Sequence, residues 1–204
     1  LYLPNSSSVF RYGQGEGGSP AFVQDISATS IGFAIGPSIW TINTGITTPL
    51  PVSSWLHYAF VRSGNNLLFF INGDLRGTYA YSSTWPDSSS TLTIGQQRGA
   101  YGTALISNFH VVKGTALYTA NFTPPTAPIS SVANTKLLCC KSNSSATAYD
   151  VSPGAITSNG NAAASNFNPF TANIKTVGGL QSGYATLDRK STRLNSSHVK
   201  RSRM

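Results

Sequence analysis

The stretch WLHYAFVRSGNNLLFFING, residues 55–73, constrains the fold more than any other part of the chain. Its first eight residues are mostly apolar, aromatic or β-branched, which is typical of strands on a half-buried pleated surface. Residues 63–66 tolerate tight turns, LLFFI is a second apolar run, and Asn72-Gly73 is the dipeptide most typical of a two-residue hairpin turn. The pattern predicts two antiparallel strands, and a third strand over residues 75–79.

Side chains alternate between the two faces of the first predicted strand. One face carries Trp55, His57, Ala59 and Val61, and the other carries Leu56, Tyr58, Phe60 and Arg62. Because both faces are apolar, we expect an interior strand of a layered β-structure. Apolar runs bounded by Gly, Pro or Ser predict further strands at residues 20–26, 30–36, 38–43, 91–95, 104–112 and 135–140. Residues 1–18 end in a Gly-rich loop, and residues 79–90 and 96–103 are predicted to be exposed loops. No segment sustains a helical period, so the chain is predicted to be all-β.

Three segments carry a family resemblance: residues 55–73, LTIGQ at 92–96, and ISNFHVVKGTALYTANFTPPTAPI at 106–129. They resemble the laminin-G-like, concanavalin A-like domain found in tail-fibre and other structural proteins of marine bacteriophages. The resemblance covers roughly residues 1–128 and implies a two-sheet antiparallel jelly-roll sandwich. LYLPNSS looks like the end of an early strand, so we expect N-terminal strand sequence to be missing. His110 departs from the pattern, since these domains usually carry arginine there.

The net charge of +8 and the pI near 9.7 suggest a nucleic-acid partner at first sight. Residues 188–204, however, hold six basic residues and one acid, and so supply five of those eight charges. This segment lacks apolar periodicity and resembles translated sequencing-adaptor text fused to metagenomic fragments, so it is predicted to be a non-native, disordered tail. The alternative is a basic arm that binds nucleic acid. Without the tail the chain is nearly neutral, and we expect no nucleic-acid partner. No apolar run is long enough to predict a membrane span.

The predicted organisation is a jelly-roll domain over residues 1–142, a Ser/Asn/Ala-rich extension or linker over 143–187, and the tail over 188–204. Cys139 and Cys140 are adjacent, so their Cα atoms are about 3.8 Å apart, below the ~4.4 Å minimum usual for a disulfide. We expect free thiols, one buried and one pointing outward.

Groups for catalysis are scarce in this sequence. Glycoside hydrolysis needs two carboxylates that flank the sugar, but Glu16 is the only glutamate and the five aspartates are scattered. There is no G-x-S-x-G motif, and His57 and His110 lie in strand patterns where packing is the expected role. We therefore predict no enzyme, no cofactor and no metal. Asp74, with Asp25 and Asp87, is the candidate left for calcium, which prefers about six to eight oxygen ligands.

Aromatic residues in two predicted loops are the candidate binding residues. These are Tyr81 and Trp85 in one loop, and Gln96, Arg98 and Tyr101 in the other. Aromatic faces stack on sugar rings, while amide and guanidinium groups supply hydrogen bonds. The alternative is that these side chains fold back over the core.

The predicted function is a non-catalytic carbohydrate-binding or adhesion module of a phage surface or tail structure. Such a module would be located at the virion surface or outside the cell. Its expected partners are a host-surface glycan or neighbouring structural subunits, with homo-oligomers formed through the full-length fibre. The first alternative is a purely architectural subunit–subunit module of a fibre or capsid, and the second is a glycan-active enzyme.

Overall fold

The computed structural model describes residues 1–14, 22–35, 49–85, 91–97 and 99–170. Within these ranges the chain forms β-strands and no helix, which confirms the all-β class. The strands are β1 (Val9–Gln14), β2 (Phe22–Ser27), β3 (Ile31–Ile35), β4 (Tyr58–Ser63), β5 (Asn66–Ile71), β6 (Asp74–Ala80), β7 (Leu92–Ile94), β8 (Gln96–Gln97), β9 (Ala100–Tyr101), β10 (Phe109–Val112), β11 (Thr135–Cys139) and β12 (Tyr149–Val151). The predicted strand at 38–43 and the segment 171–204 lie outside the described residues.

Two antiparallel sheets enclose the main core. One has the order β3-β2-β1-β7 and the other the order β4-β5-β6. Rings from the two sheets meet between them: Phe22 stacks on Phe60 with ring centroids 5.3 Å apart, and Phe33 lies 5.3 Å from Phe69. The buried cluster comprises Leu3, Phe10, Ile26, Ile31, Phe33, Ile35, Leu50, Leu56, Leu67, Phe69 and Ile71. The predicted antiparallel sandwich is therefore present.

One polar side chain lies inside this apolar layer. Gln24 on β2 is fully buried; its carboxamide oxygen accepts a hydrogen bond from the Tyr12 hydroxyl, and its nitrogen donates to the Tyr58 hydroxyl. Tyr58 belongs to the opposite sheet, so this bridge joins the two layers. Burial raises the pKa of both tyrosines. A buried polar group is tolerated when it is hydrogen-bonded, as these three are.

The central hairpins form as predicted. β4 pairs with β5 from Tyr58 opposite Ile71 to Ser63 opposite Asn66. At the next turn the φ angles of Asn72 and Gly73 are 52° and 85°, the two positive values that a type I′ turn requires. The Asn72 side chain also accepts a hydrogen bond from the His57 backbone N–H at 2.8 Å. This turn is thus fixed both by its backbone angles and by a side-chain contact.

The chain between β10 and β11 runs over the outer side of this hairpin; residues 113–128 are called the wrapping segment below. Phe122 N–H donates to the Gly73 carbonyl at 3.0 Å, and Leu75 N–H donates to Asn121 Oδ1 at 2.9 Å. Aromatic rings complete the contact, with His57 and Phe70 of the hairpin packed against Tyr118 and Phe122. The wrapping segment therefore covers the end of the hairpin around His57 and Phe70, where β5 is buried, while the residues of β4 stay only partly buried.

The N-terminal residues pair on both sides. Tyr2 forms antiparallel bridges with Trp55 and with Leu105, and the Leu1 amino group donates to the Leu56 carbonyl at 3.0 Å. The first residues thus lie between two other parts of the chain.

Several strands differ from the prediction. β1 was not predicted, the predicted loop at 96–103 contains the β8–β9 hairpin, and the strand predicted over 104–112 begins only at Phe109. Asn108, just before Phe109, has a φ of 56°, which interrupts an extended strand. The strand predicted at 135–140 is present as β11, between β10 and β12 in a third sheet.

Residues Leu1–Phe170 form one compact unit. This unit includes β12, which lies within the predicted extension and pairs with β11. The predicted boundaries at 142 and 187 stay a prediction. None of the described ranges contains a helix long and apolar enough to cross a membrane.

Candidate functional site

The loop after β6 folds back onto the core. Trp85 is half-buried, with its ring 5.4 Å from Phe22 of one sheet and 6.2 Å from Phe60 of the other. Tyr81 packs edge-on against Trp85 at 6.2 Å, and its backbone N–H donates to the Asn65 carbonyl at 2.7 Å. These contacts support the alternative in which Tyr81 and Trp85 act mainly as a cover for the core.

Arg62 completes this aromatic cluster, although it was not among the residues predicted from the sequence to form the site. Its guanidinium carbon lies 5.3 Å from the ring centre of Tyr81 and 6.0 Å from that of Trp85. One guanidinium N–H donates to the Ser83 carbonyl at 2.9 Å, and Nε–H donates to the Gly64 carbonyl at 3.3 Å. Arg62 therefore clamps the loop to the β4–β5 turn. The sequence held one signal for this role: Arg62 is a charged residue near the end of a strand whose other inward residues are apolar.

Tyr101 has a different environment. It lies on β9 directly opposite Gln96 of β8, and 73% of its surface is exposed. Neighbouring cross-strand residues place their Cβ atoms about 5 Å apart, so an exposed phenol ring and a carboxamide stand side by side. Arg11 holds the hairpin in place by donating to the Tyr101 carbonyl at 3.0 Å, and Arg11 itself forms an ion pair with Asp25 at 3.5 Å.

The structure separates the predicted binding residues into two groups. On β1, Tyr12 points into the sandwich while its neighbour Arg11 points to the outer face, because side chains alternate along a strand. Trp85 packs on the inward-facing Phe22, whereas the hairpin of Tyr101 is bound by the outward-facing Arg11. The two groups therefore lie on different sides of the four-stranded sheet. Arg98, the remaining predicted residue, lies outside the described residues.

The two candidate histidines, His57 and His110, pack against neighbouring side chains. His57 lies edge-on to Phe122 at 5.3 Å, and burial, followed by the charge of the Leu1 amino group, lowers its pKa to about 4. His110 Nε2 is 2.9 Å from Thr135 Oγ1, and burial lowers its pKa too. Both imidazoles are therefore neutral at pH 7. Among the described residues, no carboxylate forms an ion pair with either ring.

The candidate calcium ligands are dispersed. Asp74 is exposed at the start of β6 opposite Ile71, Asp25 is engaged by Arg11, and Asp87 lies outside the described residues. Over the part of the chain that the structure describes, no three His, Cys, Asp or Glu side chains converge. Asp74 thus has no assembled partners there for an ion that prefers about six or more oxygen ligands.

Comparison with known proteins agrees with this fold. A laminin-G-like family model matches residues 4–118, which is more than half of the chain. Its description is concanavalin A-like lectin/glucanases superfamily. The matched range includes both sheets of the main sandwich and both groups of candidate residues. No curated protein and no solved structure matches the chain significantly. The chain therefore belongs to the concanavalin A-like lectin/glucanase superfamily.

Proposed function

We propose that this chain is a non-catalytic carbohydrate-binding or adhesion module. Membership of a superfamily of lectins and glucanases fits a glycan partner. The sequence has one glutamate and five scattered aspartates, whereas glycosidases need two acids held about 5–10 Å apart. Binding without hydrolysis is therefore the better match to the side chains available.

The exposure of Tyr101 is the main observation that supports this proposal. Its ring is far more accessible than that of any other aromatic residue in the described ranges, the next being Tyr149 at 49%. A phenol ring offers an apolar face for the C–H face of a pyranose, and the polar Gln96 lies directly opposite it on β8. Arg11 fixes the backbone beneath Tyr101. A rigid platform of this kind loses little entropy when a ligand binds.

The viral setting is part of the proposal. Residues 106–129 resemble the end of this domain in phage tail-fibre and structural proteins, which supports a place on the virion surface, outside the cell. The proposed partner is a glycan on the host surface, and the full-length fibre would supply several copies of the module. Several weak sites on one particle then bind with combined avidity.

A glycan panel tests this proposal. The wild-type chain, Tyr101→Ala and Tyr149→Ala are compared for binding to the same immobilised sugars. Tyr149 is the matched control because it is also an exposed tyrosine but lies on β12 of the third sheet. Loss of stacking worth ~1 kcal/mol should weaken binding of Tyr101→Ala by several-fold, with Tyr149→Ala unchanged. Equal binding by all three proteins, or no binding at all, would contradict the proposal.

A second candidate is a purely architectural module that joins subunits. Among the described strands, β6 pairs only with β5, and most of its side chains are exposed. An unpaired strand edge can accept a strand from another chain. Cross-linking of the parent fibre should then connect β6 to a neighbouring subunit, and Tyr101→Ala should leave that link intact.

A further inference from the structure

The end of β11 holds two adjacent thiols in contact. The sulfur atoms of Cys139 and Cys140 are 3.6 Å apart, and both thiols are free. Cys139 is 2% exposed, whereas Cys140 is only partly buried. Cys140 is therefore the more exposed residue of the pair, and its sulfur contacts that of the buried Cys139.

The hydrogen bond between the two sulfurs makes them chemically unequal. The bond to Cys140, together with burial, raises the pKa of Cys139, and the same bond lowers the pKa of Cys140. The thiolate is the nucleophile in exchange reactions, so the more accessible thiol is also the more reactive one. This arrangement matches an attacking thiol beside a resolving thiol.

A bond between these two sulfurs would be labile. Neighbouring Cα atoms are about 3.8 Å apart, below the ~4.4 Å minimum usual for disulfides. Deviation from ordinary geometry makes a disulfide easier to reduce, and strained disulfides are generally the regulatory ones. The pair is thus unsuited to a permanent structural disulfide but suited to a disulfide that forms and is reduced again.

We propose that Cys139 and Cys140 form a reversible dithiol–disulfide site that reacts with small-molecule disulfides. The Cys140 thiolate attacks one sulfur of the reagent, which forms a mixed disulfide and releases one thiolate. Cys139 then loses its proton and attacks the Cys140 sulfur, which closes the ring and releases the second half of the reagent as a thiol. The two protein thiols are oxidised, and one disulfide reagent is reduced to two thiols.

Ring closure also affects Asn108, directly before β10, and through it Ile129 in the later part of the connection between β10 and β11. The Cys140 carbonyl accepts the Asn108 N–H at 3.0 Å, and Asn108 Oδ1 accepts the Ile129 N–H at 2.8 Å. Cys140 and Asn108 both have positive φ angles, 59° and 56°. Because adjacent residues form a disulfide only with distorted geometry, we expect ring closure to rotate the backbone at Cys140 and to loosen the anchor at Asn108.

Intact-mass measurement tests the chemistry on the full chain. Reduced wild-type protein incubated with oxidised glutathione should lose the mass of two hydrogens, and dithiothreitol should restore it. Cys139→Ser should stop at a stable glutathione adduct on Cys140, because the resolving thiol is gone. Cys140→Ser should react more slowly than Cys139→Ser, because its remaining thiol is buried. A wild-type protein that stays reduced, or that keeps glutathione like Cys139→Ser, would overturn the proposal.

Hydrogen exchange tests the structural consequence on the same samples. The amides of Asn108 and Ile129 should exchange faster in the oxidised protein than in the reduced one, while the Phe69 amide on β5 serves as the internal reference. Unchanged exchange at Asn108 and Ile129 in a protein shown by mass to be oxidised would refute the loosening of this anchor.

Discussion

The Gln24 side chain donates a hydrogen bond to the Tyr58 hydroxyl across the interior of the sandwich. Gln24 lies on β2 of one sheet and Tyr58 on β4 of the other, so a polar contact specifies how the two apolar layers meet. Gln24 also accepts from Tyr12 on its own sheet. A side chain with both an amide donor and a carbonyl acceptor is needed to satisfy both hydroxyls at once.

We expect Gln24→Met to destabilise the fold although it conserves side-chain shape. The substitution leaves the buried Tyr12 and Tyr58 hydroxyls without their amide partner, at a cost of about 1–3 kcal/mol for each stranded group. Urea unfolding midpoints measure the loss. Adding Tyr12→Phe to Gln24→Met should recover part of it, because the stranded hydroxyl is then removed. A double variant whose loss equals the sum of the two single losses would show that the bridge is not coupled.

We expect Gly→Ala to cost more stability at Gly73, in the Asn72-Gly73 turn, than at Gly64. Gly64 and Gly73 both have positive φ angles, so Gly→Ala should cost about 1–2 kcal/mol at either position. A Cβ at Gly73 would also lie 1.8 Å from the Phe122 carbonyl oxygen, whereas a Cβ at Gly64 meets no heavy atom within 4 Å. Gly73→Ala should therefore lower the free energy of unfolding more than Gly64→Ala. If chemical denaturation gave the same loss of unfolding free energy for both variants, the wrapping segment would be able to move away from the new Cβ at no cost.

Acid should weaken the fold through His57. Its pKa falls from 6.5 to about 4 on folding, so between these values the unfolded chain binds a proton that the folded chain does not. The free energy of unfolding should therefore decrease as pH is lowered from about 6.5 towards 4. His57→Phe should flatten this part of the stability–pH profile. Superimposable profiles for the wild type and His57→Phe would rule out His57 as a source of the effect.

Trp85 and Tyr101 should respond differently to truncation. Trp85→Ala removes a ring that touches Phe22 and Phe60, and we expect a loss of about 2 kcal/mol, less than the ~3–5 kcal/mol for a fully buried ring. Tyr101→Ala removes an exposed ring and should change stability by no more than about 0.5 kcal/mol. Thermal unfolding of the two variants gives the comparison. A larger loss of stability for Tyr101→Ala than for Trp85→Ala would show that the Tyr101 ring is part of the core.

The sequence predicted the central hairpins because their information is local. Alternation along β4 and the Asn72-Gly73 turn depend only on neighbouring residues, and both were correct. β1 was not predicted because Gly13 and polar residues interrupt its pattern. Gly13 is explained by a contact outside β1: a Cβ there would lie 2.4 Å from the backbone carbonyl oxygen of Phe22 on the neighbouring strand β2. Glycine in a strand commonly marks such a close approach.

The candidate site, too, depends on contacts between distant residues that local sequence patterns do not show. The sequence pattern predicted that both Trp85 and Tyr101 lie in loops, but Tyr101 lies on β9. Which of the two rings folds inward depends on Phe22 and Phe60, which are distant in sequence from Trp85. Arg62 was overlooked because its position near the end of an apolar strand, although visible in the sequence, does not indicate which rings it contacts. Its role follows from the ring of Tyr81, which only the folded loop brings beside it.

The wrapping segment has a consequence for the rates of folding and unfolding. Its hydrogen bond from Leu75 to Asn121 spans 46 positions, whereas the turns of the β4–β5–β6 hairpins close over only a few residues. Loop closure makes the distant contact slower to form, so we expect the hairpins to precede it on the folding route. Phe122→Ala should then accelerate unfolding far more than it slows refolding, as contacts made after the transition state do. The lifetime of the native domain would thus depend on a stretch that has no regular secondary structure.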